Sequence, residues 1–338
     1  MKVLVTGSAG FIGNHLARRL LDEGHEVIGV DNLNAYYDPA LKQARLELIR
    51  GRAGFVEARL DISDQAALSA CFATHKPEYV VNLAAQAGVR YSLEEPDSYV
   101  QSNLVGFANI LENCRQHKVR HLVFASTSSI YGASRKLPYC EKDITDHQVN
   151  LYSASKKANE AMAHAYAHLF DIPSTGLRFF TVYGDWGRPD MAFFKFADAI
   201  MKNQPIDVYN QGEMSRDFTY VGDIVEGIMR LIPQIPQPDA EWDAKNPETG
   251  RSGVAPYKVY NIGCGKPVTL MRYIEVLEEC LGQVAKKNFM PMQPGDVKDT
   301  CADVRELTAA TGYAPTTSIE EGMAKFADWY MSYYGKTG

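Results

Sequence analysis

The chain opens with a short β-branched run, Lys2 to Thr6, and passes directly into Gly7, Gly10 and Gly13 ahead of an amphipathic stretch over 11–22. A strand, a glycine turn and a helix in that order leave few folds open. Glycine lets the turn close tightly, and the helix then offers its unpaired N–H groups beside the strand end. The same alternation continues for half the chain. Strand-like runs at 3–6, 26–30, 55–59, 79–83, 121–126 and 174–180 alternate with helical apolar spacing at 11–22, 65–74, 99–117 and 151–170. That pattern builds a parallel sheet covered by helices on both faces.

The fold class expected is therefore α/β: a Rossmann-type doubly wound parallel sheet with a smaller mixed α/β C-terminal domain. With 338 residues, the chain exceeds the usual size of one core. Residues 1–180 should form the nucleotide-binding domain, with later segments returning to it. Residues 181–338 should form mainly a substrate domain, with the polar stretch 232–256 as a surface insertion. A net charge of -6 argues against a nucleic-acid partner, so an anionic ligand would have to meet particular arginines. The six cysteines show no CxxC, and no His cluster has metal-ligand spacing, so no metal is expected and the thiols read as reduced. No export leader and no apolar run of membrane-spanning length appear, and the expectation is a cytoplasmic protein with no membrane partner.

Within the first turn, Gly7, Gly10, Phe11, Ile12 and Gly13 could bring backbone N–H groups and a helix dipole to a dinucleotide diphosphate. A tight turn that binds nothing has the same sequence. Asp31, at the end of the second strand, favours the dinucleotide: its carboxylate can accept from both ribose hydroxyls and would repel a 2′-phosphate. NAD is thus expected over NADP, and the next residue is Asn32 rather than a cation. Asp61 and Ile62 follow the third strand, where an acid can reach the adenine amino group and an aliphatic chain can flank the ring. Asp61 is equally readable as a helix N-cap.

Tyr152 and Lys156 stand four apart and so share one helix face. Such a pair is common on solvated helices; this one follows a strand end rich in hydroxyls, Thr127, Ser128 and Ser129 before Tyr131. A lysine ammonium near a phenol favours phenolate and lowers its pKa from about 10, giving a base for hydride-transfer chemistry at an alcohol carbon.

Over nearly its whole length the chain resembles the extended short-chain dehydrogenase/reductases, and within them the nucleotide-sugar 4-epimerases. The resemblance implies Thr127, Tyr152 and Lys156 as catalytic residues, with Leu83, Ala84, Ala85, Ala87 and Asn103 near the cofactor. Related 4,6-dehydratases carry an Asp-Glu pair after the Thr; here Ser128 and Ser129 stand there, hydroxyls that cannot drive elimination at neutral pH. The resemblance also assigns Tyr209 to uracil, and Arg216 with Asp296 to the pyrophosphate and ribose of a UDP-sugar. Tyr209 could as well be an ordinary strand residue, and Arg90 is either a helper or a solvated loop charge. Thr181 stands where galactose epimerases carry Asn, and Arg188 follows in a Gly/Pro loop, able to present a planar fork to a carboxylate or to form a surface ion pair. The motifs around 31–42 and 294–304 look like those of the UDP-glucuronate 4-epimerase group. The resemblance further implies a homodimer through helices 99–117 and 151–170. A UDP-glucuronate decarboxylase, another UDP-hexose 4-epimerase and a non-catalytic NAD-sensing protein remain as alternatives.

Overall fold

The computed structural model describes residues 1–293 and 296–335, which divide into two compact units. The first comprises Met1–Arg135, Cys140–Phe179 and Val225–Asn261; the second comprises Lys136–Tyr139, Phe180–Ile224 and Ile262–Gly338.

In the first unit, β1 (Lys2–Thr6), β2 (Glu26–Asp31), β3 (Phe55–Arg59), β4 (Tyr79–Asn82), β5 (His121–Thr127) and β6 (Ser174–Phe179) pair in parallel, in the order β6-β5-β4-β1-β2-β3. A seventh strand, Tyr257–Ile262, extends the sheet beside β6. The order reverses between β1 and β4, the switch point where open sheets of this kind leave a crevice at the carboxyl edge. Thr6 ties the two strand ends together there. Its Oγ1 donates to Asn82 Oδ1 at 2.7 Å and accepts from the amides of Leu83 and Ala84 at 3.1 and 3.0 Å.

One core cluster joins Leu4, Val80, Leu122 and Phe124 of the sheet to Phe72 and to Phe107, Ile110, Leu111 and Cys114 of the helix Gly106–Gln116. The last four recur at three- and four-residue intervals, so all lie on one helix face. Truncating a buried phenylalanine such as Phe107 or Phe124 to alanine would cost about 3–5 kcal/mol.

The stretch expected as one helix over 99–117 is helical from Pro96 to Gln116 but widens in its middle. A short helix, Pro96–Tyr99, leads into a wider π-type segment, Val100–Val105, and only then into Gly106–Gln116. The cause is visible at Asn103, whose carbonyl accepts from Asn159 Nδ2 at 2.6 Å. A side-chain amide 56 residues away competes for a backbone group, which apolar periodicity does not register. The polar stretch 232–256 is exposed mainly in its middle, over 240–247, while Ile232, Ser252 and Ala255 at its ends are fully buried. A short helix, Pro39–Glu47, capped by Asp38, is an element the apolar spacing did not suggest.

Among the described residues, the second unit contains three two-stranded ladders. Thr181–Tyr183 runs parallel to Phe218–Tyr220, Pro205–Val208 parallel to Lys286–Phe289, and Ser215–Arg216 antiparallel to Val268–Thr269. Buried Asp217 knits its loops by accepting from the amides of Cys264, Gly265 and Ala302 at 2.7, 2.8 and 2.9 Å. All six cysteines are free thiols, and among the described residues no group of His, Cys, Asp and Glu could hold a metal ion.

Candidate active site

The glycine turn is packed to its limit. A Cβ on Gly13 would lie 2.1 Å from the Gly7 carbonyl oxygen, and one on Gly10 would lie 2.9 Å from it. Gly7 itself has φ +73° and meets the backbone of Leu83 and Ala84. Only glycine lets the helix Phe11–Asp22 start this close to β1, which suits the close approach of a diphosphate to backbone amides. Asp31 is the last residue of β2. Its Oδ2 accepts from Ala9 N at 3.0 Å and its Oδ1 from Leu33 N at 2.9 Å, fixing the carboxylate beside the turn with lone pairs left for hydroxyl donors.

Asp61 lies two residues past β3 and bridges to the neighbouring strand end, accepting from Asn32 Nδ2 at 2.7 Å and from Ser63 N and Oγ at 2.8 and 2.7 Å. Burial pushes its carboxyl up, but these donors hold it below the usual range. The N-cap role belongs to Asp64, which accepts from Ala67 N at 3.0 Å. Ile62 is buried in the same core, against Gly106. These features together fit a dinucleotide with an unphosphorylated ribose.

Asn103 acts on the loop after β4. Its side chain donates to the Gln86 carbonyl at 3.0 Å and to Ser155 Oγ at 2.9 Å, and accepts from Gln86 N at 2.8 Å. It thereby fixes the segment holding Leu83, Ala84, Ala85 and Ala87 to the helix Leu151–Phe170. Tyr99 adds a second tie from its hydroxyl to the carbonyls of Ala87 and Gly88, and its ring meets Tyr152 edge to face at 6.2 Å between centroids. Arg90, four residues before Glu94, is exposed.

Thr127 closes β5 and is 6% exposed; its Oγ1 accepts from Ser129 N at 3.2 Å, so Thr127, Ser128 and Ser129 form one tight turn. The helix Leu151–Phe170 starts at an Asn150 cap, which accepts from Ser153 N at 2.8 Å and so sets Tyr152 in the first turn. Lys156, one turn on, is buried, and its Nζ donates to the Ala125 carbonyl of β5 at 3.0 Å. Burial draws its ammonium from an ordinary 10.5 down to about 8. A cation kept this dry is a strong electrostatic partner for an anion formed beside it.

Beneath this helix lies a network that sequence reasoning missed. Glu160, one further turn along, accepts from Ser126 Oγ at 2.7 Å and from Arg178 Nε and Nη2 at 3.0 and 2.9 Å. Arg178 also reaches the Tyr131 hydroxyl at 3.1 Å, which donates to Asn261 Oδ1 at 2.6 Å. Burial alone would push the Glu160 carboxyl up, but Arg178 holds it below the usual range. The spacing Tyr152, Lys156, Glu160 was the available signal: three functional groups on one helix face.

In the second unit, Thr181 opens its strand and its amide donates to the Asp217 carbonyl at 3.1 Å. The Arg188 guanidinium is paired with Asp190, at 3.0 Å from Nε and 2.7 Å from Nη2, with about a fifth of each side chain exposed. The ion-pair reading of Arg188 is therefore realised, and the same pair orients its planar fork. Arg216 donates to the carbonyls of Ser215, Val297 and Lys298 and to Asp296 Oδ1 at 3.2 Å, which brings the two residues together. Burial pulls the Arg216 guanidinium down, opposed by Asp296. Tyr209 begins a tight turn just after Pro205–Val208 and is half-buried. Pro294 and Gly295, the first residues of the motif ending in Asp296, lie outside the described residues.

A doubly wound sheet, a glycine turn facing an acid at the end of β2, and a Thr-Tyr-Lys set on β5 and its following helix define the extended short-chain dehydrogenase/reductase class. The chain belongs to the NAD dependent epimerase/dehydratase family, whose pattern matches residues 3–263. It is 53% identical over 336 residues to "Protein CapI" of Staphylococcus aureus, covering 99% of this chain and 100% of the relative. It is 49% identical over 334 residues to a "Probable UDP-glucuronate 4-epimerase" of Rhizobium meliloti (strain 1021), covering 99% and 98%. Among solved structures it resembles a UDP-glucuronic acid 4-epimerase from Bacillus cereus in complex with UDP-glucuronic acid and NAD. The TM-score is 0.87 at 31% identity, covering 99% of this chain and 100% of the other.

Proposed function

We propose that this chain is an NAD-dependent UDP-glucuronate 4-epimerase, interconverting UDP-glucuronate and UDP-galacturonate. The observation that carries the reading is end-to-end similarity to relatives of that name, in sequence and in fold. The local chemistry agrees with it: hydroxyls, and no Asp-Glu pair, follow Thr127. Bound NAD, held by the glycine turn and Asp31, would supply the acceptor for the sugar C4 hydride and the donor for its return. Tyr152 takes the C4 hydroxyl proton, directly or through Thr127, and gives it back after the 4-keto sugar has turned about its pyrophosphate tether. Lys156 supplies the positive charge that favours the Tyr152 phenolate.

The roles proposed for the remaining residues rest on their chemistry and on the family resemblance together. Gly7, Gly10, Phe11, Ile12 and Gly13 receive the cofactor diphosphate, Asp31 and Asn32 its ribose, and Asp61 and Ile62 its adenine; Leu83, Ala84, Ala85 and Ala87 line it, and Asn103 braces that lining. Arg216, Asp296 and Tyr209 hold the UDP, with Arg90 as an accessory cation. Ser128, Ser129, Thr181 and Arg188 receive the sugar and its carboxylate. Arg188 can do so while Asp190 keeps its fork oriented, because a guanidinium has five donors in one plane.

Among the described residues no helix is long and apolar enough to cross a membrane. Free thiols support a cytoplasmic setting. Val100, Val105, Leu169 and Phe170 are exposed apolar residues on or beside the two long helices and support a homodimer, which light scattering would report as twice 37.6 kDa. The deciding experiment is NMR of the purified protein with UDP-glucuronate. Appearance of UDP-galacturonate as the main product is expected; a pentose product would make it a decarboxylase, and no product from any UDP-hexose would leave a binding protein.

A further inference from the structure

In the second unit, the backbone from Gly184 to Arg188 is gripped at each residue. Gly184 has φ +142°, and a Cβ there would lie 2.8 Å from Val221 and 3.0 Å from Tyr220. Asp185 accepts from the Tyr220 hydroxyl at 2.8 Å. Trp186 holds φ +56°, a left-handed conformation that a bulky side chain adopts only when its surroundings over-determine it. Its ring sits 5.2 Å from Trp329 and 5.3 Å from Tyr333, centroid to centroid, and those two rings stack on each other at 5.8 Å. At Gly187 a Cβ would lie 2.4 Å from the Phe193 ring. Arg188 then meets Asp190.

Trp329 and Tyr333 belong to the C-terminal helix Ile319–Tyr334. That helix also fixes the strand of Thr181: Gly322 packs so closely that a Cβ there would lie 2.3 Å from the Tyr183 hydroxyl, and the hydroxyl donates to the Ser318 carbonyl at 3.2 Å. Phe326 anchors the helix on Phe193, with centroids 4.9 Å apart and rings perpendicular. Of the residues proposed to receive the sugar and its carboxylate, the two in this unit are thus braced by one helix, Thr181 through Tyr183 and Arg188 through Trp186.

We propose that Trp186, wedged against Trp329 and Tyr333, is a positioning residue that holds Arg188 still and so decides whether the oxidised sugar keeps its carboxylate. The inference rests on the assignment of Arg188 to that carboxylate. A 4-keto uronate is a β-keto acid. When its C5–C6 bond aligns with the C4 carbonyl π system, that bond breaks, its electron pair forms the C4–C5 enolate, CO₂ leaves, and a solvent proton adds at C5. A guanidinium held in one place denies the carboxylate that rotation; one on a loosened loop does not. Misplacement of a positioned group by an ångström is enough to change rates by orders of magnitude.

The test uses UDP-glucuronate labelled with carbon-13 at C6 and measures labelled CO₂ released per UDP-galacturonate formed. This ratio is internal to each turnover and does not move when part of a preparation unfolds. Trp186→Leu and Tyr333→Leu should raise it by about tenfold or more, the scale on which small displacements act. Trp186→Phe should restore most of it, and amide exchange over 184–188 should quicken in the leucine variants. Arg188→Ala is the reference. If Arg188→Ala raises the ratio and neither leucine variant does, the role of Trp186 is overturned while that of Arg188 stands. If Arg188→Ala leaves both the ratio and KM unchanged, the assignment of Arg188 fails, and the inference falls with it.

Discussion

The end of β5 with its helix, and the loop from Gly184 to Asp190, are both held rigidly, by opposite means. Around Thr127, Tyr152 and Lys156 the fixing groups are polar and dry: Glu160 accepts from Ser126 and Arg178, and Arg178 connects through Tyr131 to Asn261, all out of reach of water. Around Arg188 they are aromatic rings, glycines without room for a side chain and an ion pair that solvent still reaches. The first arrangement suits proton transfer, where a charge must form in a low-dielectric place with fixed dipoles around it. The second suits a carboxylate arriving from water, because apolar packing sets geometry without competing for the guanidinium donors.

This contrast can be broken by mutation. Tyr152→Phe should lower turnover by about 10²–10⁴-fold, the usual worth of a positioned acid-base group, with retained NAD and unfolding midpoint unchanged. Near-normal turnover would move the proton chemistry elsewhere. Glu160→Ala leaves Arg178 charged and buried without its partner, and should cost about 3–5 kcal/mol in urea unfolding. Asp190→Ala, at the partly exposed pair, should cost no more than about 1 kcal/mol. Equal losses at the two pairs would erase the distinction.

Lys156 sharpens it further through pH. Its proton affinity is lower folded than unfolded, so the unfolded chain binds more protons between pH 8 and 10.5 and stability rises with pH across that window. Below pH 8 the full penalty of a buried ammonium stands. Lys156→Met should therefore be the more stable protein at pH 7, by about 1–2 kcal/mol after the lost hydrogen bond to Ala125 is counted, and inactive. The gain should vanish by pH 11. A variant less stable than the parent at pH 7 would mean that this region carries no such burden.

The two regions also differ in how far the sequence disclosed them. Gly7, Gly10, Gly13 and Asp31 were readable because a strand, a turn and a helix lie within one short segment, and local sterics dictate what each residue can be. Tyr152 and Lys156 were readable because helical spacing puts them on one face. Glu160 occupied the next turn of that face, yet its meaning depends on Arg178 and Ser126, which reach it only through the pairing of β5 with β6. Asn103 was legible as a residue but the π-type widening of its helix was not, since Asn159 supplies the competing donor. Asp61 was ambiguous between two roles that only the position of Asp64 could separate.

By itself, then, the sequence determined the doubly wound sheet, the glycine turn, the acid at the end of β2 and the shared helix face of Tyr152 and Lys156, because each follows from periodicity or from a spacing of a few residues. Tertiary structure decided what holds those groups still. The buried Arg178–Glu160 pair, the Arg216–Asp296 pair across 80 residues and the seat of Trp186 against Trp329 and Tyr333 of the C-terminal helix are contacts between distant segments. Their energies depend on desolvation and ring geometry, which exist only once the chain has packed.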